Sequence, residues 1–162
     1  MAYDERALRG VGGWLAFLIV ALGIFSPLRM LLQAIAIWSL ERAQVPGFGD
    51  NLFAFQLLES AVIAVRLAGS LYLAWRLYAV HRPETVPIVM WGLWLLAIGI
   101  PLVEAVLVAI VTGVSIGAIL GGGLIPLIQG LVFAGIWTAY LRRSRRVANT
   151  YTPEYASADI FA

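Results

Sequence analysis

Apolar residues fall along this chain in long unbroken runs, without the alternation of strands or the narrow stripes of amphipathic helices. The first run, "GGWLAFLIVALGIFSPLRMLLQAIAIW", occupies about residues 12–38, and a second covers about 52–78. Between about 87 and 141 the only charge is Glu104. A bilayer takes roughly 20 helical residues per crossing, so this last stretch is too long for one span and right for two. The glycine-rich "TGVSIGAILGGG", residues 112–123, is the natural turn. It sets the third and fourth spans at about 87–111 and 120–141. If helical, Gly113, Gly117 and Gly121 would instead form a ladder for close helix approach. The length required by the fourth span favours the turn. The fold class predicted is an all-α membrane protein, a four-helix transmembrane bundle over residues 1–146 followed by a C-terminal tail, 147–162.

Composition agrees with a lipid solvent. The chain is 62% hydrophobic and 12% charged, where soluble domains are about half apolar and a quarter charged. Its eleven basic residues are all arginine, with no lysine. Arg6 and Arg9 precede the first span, Arg76 and Arg82 flank the loop after the second, and Arg142, Arg143, Arg145 and Arg146 follow the fourth. Cationic residues are retained on the cytoplasmic side, so both termini are expected there. Five tryptophans near that boundary and Trp38 near the other fit interfacial belts. The final arginine cluster is expected to anchor the helix end and meet anionic lipid headgroups. A short tail after a membrane helix lacks the folded basic surface that nucleic acid requires, and none is expected as a partner.

Several motifs are familiar. "GGWL" (Gly12, Gly13, Trp14, Leu15), then Ser26-Pro27, then a closing Trp137, Tyr140, Ser144, Arg146, Val147, Asn149, Thr150 and Tyr151 resemble a domain-of-unknown-function family of small bacterial four-helix inner-membrane proteins, the one that includes the YdgK-like proteins. The similarity runs from about residue 10 to 151. It implies a bacterial inner-membrane protein without an assigned activity. The recurring closing pattern also implies that the start of the tail folds against helix ends or a partner. The segment after Tyr151, "TPEYASADIFA", departs from the family pattern.

Ionisable groups at membrane depth are costly and mark either a site or a structural network. Arg29 lies about 13 Å below Trp38, Glu59 about 10 Å below Leu52 and Glu104 about 12 Å below Thr112, from the helical rise. Gln129 sits at a similar level, and Arg66 lies two turns from Glu59 on the same face. Arg29, Glu59, Arg66, Glu104 and Gln129, with Gln33 and Gln56 nearby, form the candidate buried polar network. Pro27 and Pro101 would loosen the first and third helices close to Arg29 and Glu104.

Other chemistry is missing. With no cysteine, a single histidine (His81) in a loop and no lysine, the chain offers no thiolate metal site, no imidazole inside a span and no phosphate-loop lysine. No cofactor, metal or enzymatic activity is expected. The leading reading is an accessory, assembly or stabilising subunit of a larger membrane complex. Its partner contacts would come from the tail through Asn149, Tyr151, Tyr155 and Phe161. The alternative is a small-solute or proton pathway through the Arg/Glu layer.

Overall fold

The computed structural model describes residues 10–40 and 51–151, which are helical with no strand among them. Four long apolar helices run up and down: α1 (Trp14–Trp38), α2 (Leu52–Ala79), α3 (Thr85–Thr112) and, after a short helix α4 (Ile116–Gly122), α5 (Leu124–Arg143). A last helix, α6 (Arg145–Tyr151), closes the described chain. Even α5, with 20 residues, reaches about 30 Å, the thickness of a hydrocarbon core. Large side chains such as Trp91, Ile110 and Ile125 stand on the outside, 76%, 73% and 69% exposed. Apolar surface of that extent is stable in acyl chains and not in water.

The glycine-rich connection turns the chain as its composition predicts. Gly113 ends α3 with φ 72, a left-handed value that glycine adopts without a Cβ penalty. Ser115 then accepts the Ala118 N–H and caps α4. Gly117 and Gly121 face open space, so they make no close helix contact among the described residues.

Packing is uneven along the bundle. Where the first and last described residues come together, here called the terminal end, one core joins Leu15, Leu18 and Leu22 of α1 to Leu73 and Leu77 of α2. Val89 and Leu93 of α3 and Ala134, Trp137 and Leu141 of α5 complete it. Trp14 and Phe17 pack on Trp137, so α1 and α5 close against each other there. Towards the opposite, loop end a smaller cluster of Met30, Ile37 and Ile63 joins α1 to α2, and the Trp38 indole donates to the Ser60 hydroxyl at 3.0 Å. Gln56 supplements it by donating to the Ile37 carbonyl at the end of α1, at 3.1 Å.

The arginine-rich tail begins as part of this core. Ser144 leaves the helical conformation, and its hydroxyl accepts the Val147 N–H to start α6. That turn carries Val147 and Tyr151 beneath the bundle, both buried. The Tyr151 hydroxyl donates to the Leu77 carbonyl, one of the acceptors orphaned in the last turn of α2. His81 stacks on the Tyr151 ring, and the Gly10 N–H donates to the Thr150 hydroxyl at 3.1 Å. The Arg146 guanidinium lies so close to Gly12 that a Cβ there would stand 2.6 Å from its Nη1. The opening and closing motifs are therefore two halves of one clasp.

Both prolines sit just after a widened turn. In α1 the segment Ala21–Phe25 is π-helical, with the Ser26 N–H donating to the Ala21 carbonyl five residues back. Continuing that register would pair Leu22 O with the nitrogen of Pro27, which has no hydrogen. Ser70 of α2 supplies the missing donor, its hydroxyl 2.6 Å from Leu22 O. The same arrangement recurs in α3, where Leu95–Gly99 widens before Pro101 and Ile100 N–H donates to Leu95 O. Gly130 of α5 lies against this second turn; a Cβ on it would stand 3.0 Å from Ala97 O.

Candidate functional site: an intramembrane polar cavity

Where the core ends, the bundle encloses a cavity of about 780 Å³, within the range of roughly 300–1,000 Å³ usual for small-molecule sites. Both widened turns contribute to its wall, through Ala21, Leu22 and Phe25 on one side and Leu96 and Ala97 on the other. Glu59 and Arg66 of α2 line it on one side, and Ile119 and Leu120 of α4 add apolar wall towards the loop end. Most of the remaining wall is apolar.

The four charged residues that lie away from helix ends, Arg29, Glu59, Arg66 and Glu104, all line this one cavity. Arg66 Nη2 makes an ion pair with Glu104 Oε2. Glu59, 6% exposed, is buried in the same wall. Arg66, Glu104 and Glu59 make a trio on the α2 and α3 side of the cavity. The Nε of Arg66 is buried without a partner, leaving one donor of the trio unspent.

Arg29 stands apart from the trio. It is exposed on the cavity wall and makes no ion pair or hydrogen bond among the described residues. Gln33, one turn further along α1, and Gln129, across the cavity on α5, are likewise unspent. Among the described residues the cavity thus keeps the Arg29 guanidinium and two side-chain amides unspent. Phe25 and Arg29 on α1, and Pro126, Gln129 and Phe133 on α5, line it and are nevertheless exposed. The cavity is open along the α1/α5 seam.

Each sequence-predicted residue now has a place. Arg29, Glu59, Arg66, Glu104 and Gln129 share the cavity, with Gln33 added, while Gln56 serves the end of α1 instead. Arg142, Arg143 and Arg145 point outward, and Arg146 is half-buried against Gly12. Asn149 is half-buried, and Tyr151 is spent inside its own chain. Tyr155 and Phe161 lie outside the described residues. Sequence reasoning missed Ser70, because a serine in an apolar helix gives no sign of which carbonyl it reaches. It also missed the Leu77 carbonyl, since backbone acceptors leave no mark in a sequence.

No curated protein and no solved structure matches this chain. A family model described as "Protein of unknown function (DUF2569)" matches residues 8–152, nearly the whole chain and both halves of the clasp. The chain therefore belongs to the DUF2569 family of proteins of unknown function.

Proposed function

We propose that this chain is a multi-pass protein of the bacterial inner membrane, with both termini cytoplasmic, that binds a small solute within its bundle and exchanges a proton at the Glu59–Glu104 pair. The observation that carries this reading is convergence. The four charges remote from helix ends line one cavity, and Arg66 pairs with Glu104 there. A network serving helix packing alone would spend its donors on its own acceptors, because unpaired polar groups in hydrocarbon are costly. Among the described residues Arg29, Gln33 and Gln129 line the cavity unpaired. Widened helical turns are frequent at functional sites, and both of those in this bundle border the cavity. The accessory-subunit reading draws on the tail, and Tyr151, one of its anchors, is occupied within the bundle.

The test is proton equilibration in liposomes holding the full chain and an enclosed pH-sensitive dye, after an external pH step. Faster equilibration than in protein-free liposomes is expected. Glu59→Gln should abolish it, and deletion of residues 152–162 should leave it intact. Equilibration that is no faster than the control, or that survives Glu59→Gln, would refute the reading.

A further inference from the structure

The cavity's chemistry and its opening together specify an occupant, an inference that rests on the solute-binding reading and names the solute's class. Among its unspent polar groups the Arg29 guanidinium can only donate, and the Gln33 and Gln129 amides can donate as well as accept. Arg29 provides a guanidinium, Gln33 and Gln129 provide amides from either side of the opening, and all three are unspent among the described residues. Of the two carboxyl groups lining it, that of Glu104 is engaged with Arg66 and that of Glu59 is buried. Arg66 is paired with Glu104, whereas Arg29 has no carboxylate partner among the described residues. An oxyanion would neutralise that charge and accept from the free donors. Guanidinium is suited to it, since its planar fork matches carboxylate and phosphate oxygens.

The direction of entry decides between a water-borne anion and a membrane-borne one. On the loop side, α4 contributes the apolar side chains of Ile119 and Leu120 to the lining. Along the α1/α5 seam the lining is exposed, and the outer faces beside it carry Ile24, Leu28, Ile125 and Ile128, all exposed to the hydrocarbon. A ligand entering there comes from the acyl layer. Within the cavity, Leu22, Met30, Leu96 and Leu127 surround the polar groups with apolar wall. We infer that the seam between α1 and α5 binds a single-chain amphiphile from the bilayer, with a carboxylate or phosphate headgroup on Arg29, Gln33 and Gln129 and its acyl chain along the apolar wall.

The test is native mass spectrometry of the detergent-purified full chain titrated with lysophosphatidic acid. Lysophosphatidylcholine, with the same chain but a zwitterionic head, and inorganic phosphate, with no chain, serve as comparators. A one-to-one adduct with lysophosphatidic acid is expected, at least about tenfold tighter than with lysophosphatidylcholine, from the size of a charged hydrogen-bonded contact. Inorganic phosphate should not bind. Arg29→Gln should weaken the adduct about tenfold, while Tyr78→Phe, at an exposed tyrosine outside the cavity, should leave it unchanged. If Arg29→Gln proves unstable, Gln129→Leu gives the same reading from the other wall and should weaken the adduct severalfold. Equal binding of the two lysolipids, an adduct indifferent to both substitutions, or Arg29-dependent binding of inorganic phosphate would each overturn the inference. The readout needs no proton flux. An Arg29-dependent adduct without flux would uphold the lipid site while removing the proton step.

Discussion

Tyr151→Phe removes one oxygen from the clasp, and its effect can be worked from the structure. The ring is fully buried, and its hydroxyl donates to Leu77 O, which no backbone N–H outside the helices reaches among the described residues. Phenylalanine keeps the apolar contacts and leaves that carbonyl unsatisfied, a loss of about 1–3 kcal/mol. At roughly 2–4 °C per kcal/mol for a chain of this size, the melting temperature in detergent should fall by several degrees. Tyr78→Phe, at an exposed tyrosine, should change nothing. The same hydroxyl predicts a pH dependence. Burial, with Tyr140 nearby adding to it, pushes the Tyr151 phenol up from 10.0 to about 12. A folded value above the unfolded one means that the contribution is complete below pH 10 and is lost as pH rises from 10 to 12. The loss amounts to about 2–3 kcal/mol at 1.36 kcal/mol per unit. Melting curves from pH 8 to 12 should therefore fall steeply at the alkaline end for the native chain and less so for Tyr151→Phe. If Tyr151→Phe melts with the native chain at pH 8, or if the two alkaline slopes coincide, the hydroxyl does not hold the clasp.

Three further outcomes are expected. Ser70→Ala should cost about 1–3 kcal/mol by orphaning Leu22 O; adding Pro27→Ala, which restores a backbone N–H, should recover much of it, read as a coupling energy in a double-mutant melting cycle. Arg66→Met should destabilise by about 3–5 kcal/mol because it strands Glu104, and joining it to Glu104→Leu should be milder than the single change in the same melts. Gly130→Ala would drive a Cβ onto Ala97 O at 3.0 Å and cost about 1–3 kcal/mol, whereas Gly117→Ala, with nothing within 4 Å, should be neutral in a parallel thermal scan.

The number of spans was readable without coordinates, because crossing a bilayer demands length and apolarity, and both are properties of consecutive residues. The glycine turn at 112–123 was legible for the same reason: positive φ and helix interruption are local. So was the conflict set by Pro27 and Pro101, since a missing N–H is written in the residue itself. Depth along each helix, from the 1.5 Å rise, placed Arg29, Glu59, Glu104 and Gln129 in one layer.

Rotation of each helix about its axis was not legible, and rotation decides partners. Depth alone left Arg66 free to pair with Glu59 on its own helix; the packing of α2 on α3 gives it to Glu104 instead. Depth also put Arg29 level with Glu59 and Glu104, yet it makes no ion pair among the described residues. Likewise the closing motif implied that the tail folds back, but the Leu77 carbonyl that receives Tyr151 lies 74 residues away in the chain. Sequence thus determined what each helix must bury and how deep its polar groups lie, because those follow from the solvent. Tertiary structure alone decided which of them meet, because contacts between helices depend on the side-chain packing of all four at once.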